Sequence, residues 1–256
     1  MTQADLISLS SIARRETVRI FRIWVQTLVP PVVTATLYFL IFGSFIGSRL
    51  DDVHGYDYMA FIAPGLIMMA IITNSYTNAV SSFFSSKFQR NIEELLVSPT
   101  PDWVIVLGYV SGAMVRGLSV GVLVGLVSLV FVRIVPHNLL YVVLFAILTS
   151  FVFALAGLIN GIFAKKFDDI SIIPTFVITP LTYLGGVFYS IALLPDVWRL
   201  LSRLNPIVYM IDGFRYGFLG ISDIGPLSGL LILVLIGALL FAANLLLLRK
   251  GTGLRS

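Results

Sequence analysis

The chain has 256 residues, of which 58% are hydrophobic and 12% charged, whereas a soluble protein carries roughly 45–50% apolar and about 25% charged residues. A soluble fold of this length could not hide so much apolar surface, so the composition indicates an integral membrane protein. The formal net charge of +4 is small and cysteine is absent, which excludes disulfides, thiolate metal sites and thiol catalysis.

Met1 to Ser11 is polar, has no removable-signal pattern, and runs into an arginine cluster. Residues 5–23 have helical periodicity. Arg15, Arg19 and Arg22 fall at i, i+4 and i+7 on one side, with Leu6, Leu9, Ala13, Ile20 and Trp24 on the other. That pattern predicts a helix in the membrane interface with its basic groups toward anionic headgroups; a solvated extension of the first span is the alternative. Apolar runs of about 20 residues or more, enough to cross roughly 30 Å of hydrocarbon, then predict spans near 25–47, 59–84, 103–132, 140–164, 171–191 and 226–248. The expected fold is therefore all-α: one transmembrane domain over 1–256, with an interfacial helix at 1–24, a six-helix bundle at 25–248 and a tail at 249–256.

Between the second and third spans lies Lys87 to Pro101, KFQRNIEELLVSPTP. Phe88, Ile92, Leu95 and Leu96 fall at i, i+4, i+7 and i+8, one face of a helix. Lys87, Arg90, Glu93 and Glu94 fill the rest, and Pro99 and Pro101 stop it. A chain that leaves lipid for one short amphipathic helix and then returns has a handle for a partner there. Residues 192–225 are too apolar for a water-exposed loop. They are also too interrupted, by Pro195, Pro206, Gly213, Gly217 and Gly220, for a straight span. Two short helices dipping back into the outer leaflet fit, because backbone bends at that depth only when covered by protein; an amphipathic surface hairpin is the alternative.

Basic residues set the orientation. Arg14, Arg15, Arg19, Arg22, Lys87, Arg90, Lys165, Lys166, Arg249, Lys250 and Arg255 fall on one face. Only Arg49, Arg133, Arg199, Arg203 and Arg215 fall on the other. The positive-inside rule puts both termini and the Lys87–Pro101 helix in the cytoplasm. At membrane depth the one deep ion is Arg116, about 13 residues into the third span, a position costing roughly 2.5–3.5 kcal/mol on insertion scales. Asn74 and Asn78 in the antiparallel second span reach the same depth and predict an amide–guanidinium bridge, structural or substrate-facing. Small-xxx-small spacings at Gly108/Gly112, Gly117/Gly121/Gly125 and Gly157/Gly161 predict close helix contacts. The fifth span holds Pro174 and Pro180, a threonine stripe at Thr175, Thr179 and Thr182, and then Tyr183. Those hydroxyls either satisfy carbonyls freed at the kink or line a path for an amphiphile.

Some chemistry is missing. There is no G-x-x-x-x-G-K-[ST] phosphate loop, and His54 and His137 fall in outer loops outside any H-E-x-x-H array. No paired carboxylates lie in the spans for acid–base or proton-relay work, and no internal repeat marks an inverted-repeat transporter. The sequence therefore describes a bundle without its own energy source that displays a docking helix suited to groove recognition.

The runs RIWVQTLVPPVV at 22–33, FIAPGLIMM at 61–69 and FQRNIEELLVSP at 88–99 carry a resemblance, as do FDDIS at 167–171, PTFVITPLTYLGGVFYS at 174–190 and LNPIVYMIDGFRYGFLG at 204–220. From end to end the chain resembles the membrane subunit of type-2 ABC exporters, the ABC-2 permease family. The resemblance implies a homodimer in the bacterial inner membrane, served by two copies of a separate ABC ATP-binding subunit that holds ATP and Mg. This chain would bind membrane lipid but neither cofactor nor nucleic acid, and would not itself be an enzyme. It implies that the N-terminal helix is the connecting helix. Phe88, Gln89, Arg90, Ile92, Glu93, Glu94, Leu95 and Leu96 would be the coupling helix in the ATPase groove, and 192–220 the outer re-entrant helices. It also implies that the first and fifth spans border the conduit, with Thr175, Thr179, Thr182 and Tyr183 on the substrate path. The segment Gln89-Arg90-Asn91-Ile92-Glu93 stands where many relatives have E-x-G-T-x-E, implying docking contacts of its own. Cargoes in the family include drugs, lipids and glycans. The competing expectation from the residues is an ATP-independent secondary transporter or channel.

Overall fold

The structure, a computed structural model, describes residues 3–47, 53, 55–133 and 135–253. Arg49, His54 and Arg255, assigned above to loops and tail, lie outside the described residues. Everything regular within them is helical. The order is α1 (Gln3–Arg22), α2 (Trp24–Tyr38), α3 (Tyr58–Phe88), α4 (Asn91–Val97), α5 (Asp102–Phe131), α6 (Leu139–Phe163), α7 (Asp169–Ile173), α8 (Thr179–Tyr183), α9 (Asp196–Ser202), α10 (Pro206–Leu219) and α11 (Pro226–Lys250). The helix α2 continues as a wider π-helical stretch over Phe39–Ile46.

Five segments are long and apolar enough to cross a membrane: Trp24–Gly43, Tyr58–Phe88, Asp102–Phe131, Leu139–Phe163 and Pro226–Lys250. The segment expected as a fifth span at 171–191 is different. It is α7, a π-helical turn over Pro174–Ile178 and α8, ending at Tyr183. Pro180 has no N–H and its ring would clash with the carbonyl four residues back. The helix widens just before it, so the Thr179 N–H reaches the carbonyl of Pro174. Regular helix here covers only 169–183, which at 1.5 Å per residue spans roughly 22 Å. Its ends nevertheless meet opposite ends of the bundle. Phe167, just before it, packs edge-on against Phe84 and Phe88, while Phe188, just after it, accepts a hydrogen bond from the Tyr58 hydroxyl through its carbonyl.

The bundle is built around α3, whose central residues pack against α5, α6 and α10. In lipid, apolar contact between helices expels no water, so close van der Waals packing and hydrogen bonds hold them together. Gly157 shows how tight the fit is: a Cβ there would strike the Tyr76 carbonyl of α3. Ser75 and Ser150 join their hydroxyls across the same interface at 2.8 Å. One apolar cluster surrounds the first half of α3 with Phe145, Ile211, Phe214 and Leu233. A second surrounds its last half with Ile12, Ile92, Val104, Leu158 and Leu248.

Contacts at the two ends fix which segments share a level. At one end Lys87 Nζ donates to the carbonyls of Ile162 and Ala164 at 2.7 and 2.9 Å, and Arg249 pairs with Asp102 at 3.5 Å. Thus α1, α4 and the end of α11 lie together. The exposed turn into α7 is held by Asp169, whose carboxylate accepts the backbone N–H groups of Lys165 and Lys166; these bonds hold its pKa below the usual carboxylate range. At the other end α9 and α10 form two short helices. Arg215, counted from the sequence only as a charge of the outer face, is not exposed there. It is buried in α10, stacks over the Phe61 ring at 3.9 Å and donates to the Gly186 carbonyl. Asp212 is buried beside it, accepting from Ser222 and from the N–H groups of Asp223 and Ile224.

Candidate docking and transport sites

The docking handle differs from the single helix expected over 87–101. The helix α3 runs on through Phe88 and ends at Gln89; Arg90 then turns into the left-handed region at φ 61°, the one non-glycine residue to do so among those described. Such a conformation is uncommon outside glycine, and it redirects the chain into the seven-residue α4. Glu93 and Glu94 lie in its first turn, where carboxylates complement the positive helix end. Ser98 caps the exit through the Leu95 carbonyl at 2.7 Å. The apolar face predicted from spacing splits in two. Ile92 is buried against Phe83 and Val104, and Leu95 packs on the same cluster. Phe88 is 62% exposed and Val97 87% exposed, with Leu96, Gln89, Arg90, Glu93 and Glu94 also outward. A cavity of about 640 Å³ lies beside this turn, lined by Phe84, Lys87, Phe88, Arg90, Glu93 and Lys165 among others.

The seating of α1 was not legible from its apolar residues. Its buried stripe is Ile12, Glu16 and Ile20, whereas Leu6 and Trp24 are exposed. Glu16 is 2% exposed. It pairs with Arg15 at 3.2 Å and Arg19 at 3.1 Å and accepts a hydrogen bond from Ser82 of α3. Arg15 also donates to the Tyr109 hydroxyl at 3.0 Å, and that hydroxyl donates to Ser86 at 2.8 Å. So two of the arginines assigned to headgroups clamp a carboxylate against the bundle instead. The fit requires Gly112, because a Cβ there would meet the Cβ of Glu16. Glu16, four residues from each flanking isoleucine, was the available signal. At Ile23 the chain leaves helical geometry, and the buried Thr27 hydroxyl donates back to the carbonyls of Ile20, Ile23 and Trp24.

The intramembrane bridge is also rearranged. Asn78 Oδ1 accepts from Arg19 at 3.3 Å, and Asn74 Nδ2 donates to the Ala70 carbonyl at 3.0 Å. Neither amide bonds Arg116. Helix α1 brings a guanidinium that reaches Asn78 first. Arg116 instead faces a cavity of about 300 Å³ that it shares with Asn74, Gln26, Thr34, Tyr38, Thr73 and Thr77, backed by Pro30, Pro31, Leu66 and Met69.

The threonine stripe divides as well. Thr182 is buried and donates to the Ile178 carbonyl at 2.7 Å; Thr179 donates to Pro174 at 2.9 Å but is exposed, as is Thr175. Tyr183 is exposed on that same side and shares a 2.6 Å hydroxyl contact with Tyr38, a residue of the cavity wall. Thr175, Thr179 and Tyr183 thus form one open stripe at i, i+4 and i+8. Among the described residues no three His, Asp or Glu side chains gather as a metal site.

Residues 8–219 match the family described as ABC-2 type transporter. The chain is 59% identical over 252 residues, 98% of each chain, to the inner membrane transport permease YadH of Escherichia coli (strain K12). It is 27% identical over 217 residues to nodulation protein J of Neorhizobium galegae, covering 84% of this chain and 82% of that one. The corresponding protein of Rhizobium meliloti (strain 1021) is 26% identical over 185 residues, 72% and 71% of the two chains.

Proposed function

The chain belongs to the ABC-2 type transporter family, and from that premise we propose that it is the inner-membrane permease subunit of an ATP-driven exporter, working as a homodimer with two copies of a separate ATPase subunit. The observation that carries this reading is the outward turn at 88–97. It is a short helix with exposed Phe88, Leu96 and Val97 and an acidic first turn, lying beside α1 and the end of α11. Exposed apolar side chains beside charges suit a groove on a soluble partner. On this reading that end is cytoplasmic, consistent with the excess of lysine and arginine there. The ATPase holds ATP and Mg, and its closure rocks α4 and, through it, the bundle.

Six crossings follow if the broken 169–183 helix counts as one, which supports both termini on the same side. The helices α9 and α10 are then the outer re-entrant pair. The exposed faces of α2 and of α7–α8 meet the second copy, and Thr175, Thr179 and Tyr183 border the conduit, with Thr182 serving the kink. An amphiphile, lipid or glycan fits a path that carries both hydroxyl and apolar groups.

Reconstitution in vesicles tests the reading. Export is expected only when the ATPase and ATP are both present. Movement of cargo through the permease alone would instead establish a secondary transporter or channel.

A further inference from the structure

We propose that the cavity beside α2 binds the headgroup of an anionic amphiphile, and that Arg116 selects for the negative charge. The cavity holds about 300 Å³, enough for a headgroup and a few methylenes but not for a whole amphiphile. Arg116 reaches it from α5 with no hydrogen bond or ion pair to any described residue, and its buried Nε is unpartnered. The charged group that acts on it is another guanidinium, that of Arg19. Arg19 is itself paired with Glu16, which Arg15 and Ser82 also hold. Arg116 therefore sits beside a guanidinium that already has its counter-charge, and Arg116 has none of its own among the described residues.

A half-buried cation with no partner among the described residues favours an anion that can reach it, and a guanidinium forks onto phosphate or carboxylate oxygens through paired N–H groups. Thr34 and Thr73 supply hydroxyl donors around the same space. Asn74 donates one amide hydrogen to the Ala70 carbonyl, and as a residue of the cavity wall it offers its amide oxygen to a ligand hydroxyl. The far wall, Pro30, Pro31, Leu66 and Met69, is apolar. The cavity lies along α2, most of which is on the outside of the chain's own bundle, so an acyl tail can leave along the exposed side of α2 while the head stays on Arg116.

The inference rests on the exporter reading only in taking the bound amphiphile for cargo; binding itself is measured on the permease alone. Native mass spectrometry of the purified protein, without ATPase, would compare dioleoyl phosphatidic acid with dioleoylglycerol and with inorganic phosphate. Phosphatidic acid should bind at least about tenfold more tightly than either. That preference should disappear in Arg116→Gln and survive in part in Arg116→Lys. Thr73→Trp, which fills the cavity from an exposed position, should abolish binding without touching the charge, and it decides the matter if Arg116→Gln does not fold. Equal binding of dioleoylglycerol, an undiminished preference in Arg116→Gln, or undiminished binding in Thr73→Trp would overturn the proposal. So would inorganic phosphate binding as tightly as the lipid, since the tail would then contribute nothing. Loss of ATPase coupling with the lipid preference intact would refute the exporter reading and leave this site standing.

Discussion

The spans of α2 and α3 have similar mean hydropathy, 1.7 and 1.5, and opposite surroundings. The most apolar stretch of α3 is 78% buried within the chain, that of α2 only 17%. Around α3 every close approach is specified: glycines of α5 and α6 receive its side chains and carbonyls, and hydroxyls pair across the interface. Around α2 the partners are few. Pro30 and Pro31 free the carbonyls of Gln26 and Thr27 from helical bonding, a polar cavity opens on one side, and apolar side chains such as Val29, Val33 and Leu37 face outward. The difference separates a rigid frame from a flank that is free to meet lipid, cargo or a second copy. Transport needs both, because a bundle that was uniformly packed could not open.

The largest expected effect comes from attacking the frame. Gly157→Leu forces a side chain into the Tyr76 backbone, which cannot move aside as a flexible side chain can. It should destabilise the protein by about 3 kcal/mol or more, read as a lower unfolding temperature in detergent. Val33→Leu on the exposed side of α2 should change stability by less than about 0.5 kcal/mol. Equal effects from the two would erase the distinction.

Next is the clamp that ties α1 to the frame. Glu16→Ala leaves Arg15 and Arg19 without their counter-charge and Ser82 without its acceptor. Removing one partner of a fully buried pair costs about 3–5 kcal/mol. Both arginine side chains are more than a third exposed, so screening lowers the expectation to about 2 kcal/mol. Proteolysis should then release α1 before the bundle unfolds. Protection of α1 equal to that in the unaltered protein would show that the apolar contacts of Ile12 and Ile20 are sufficient.

The smallest stability effect separates two neighbours on the broken helix. Thr182→Val loses one buried hydrogen bond and should cost about 1 kcal/mol. Thr179→Val should cost less than about 0.5 kcal/mol yet change which cargo is exported. A change in stability alone at Thr179 would make it a packing residue.

These contrasts also show what the sequence made legible. Five long apolar runs became five long helices because length and hydropathy decide what can cross lipid. The two short helices at 196–219 were legible from their proline and glycine interruptions. The break in the 171–191 segment was visible at Pro174 and Pro180, but its extent was not, since proline marks a kink without saying how far the helix widens. Spacing placed Phe88 and Ile92 on one face, yet the left-handed turn at Arg90, which no pattern requires of an arginine, sent them in different directions. Charge was the weakest guide. Arg15 and Arg19 were expected to face headgroups, yet they clamp the buried Glu16, which Ser82 of α3 also meets; Arg215, counted only as an outer-face charge, is buried against Phe61. Such partners are fixed by tertiary packing and leave no local periodicity. The Asn78–Arg116 pairing failed in the same way, because depth along two spans was readable and the competing Arg19 was not.

The most direct test of the central claim is ATP hydrolysis by the partner ATPase, co-reconstituted with the permease and compared with a variant carrying Glu93→Lys and Glu94→Lys. Both residues are exposed, and neither side chain makes a hydrogen bond or ion pair among the described residues, so the variant should fold normally. The account predicts that stimulation of hydrolysis, and export with it, falls at least about tenfold. Undiminished stimulation in a correctly folded variant would contradict it and remove α4 from the mechanism.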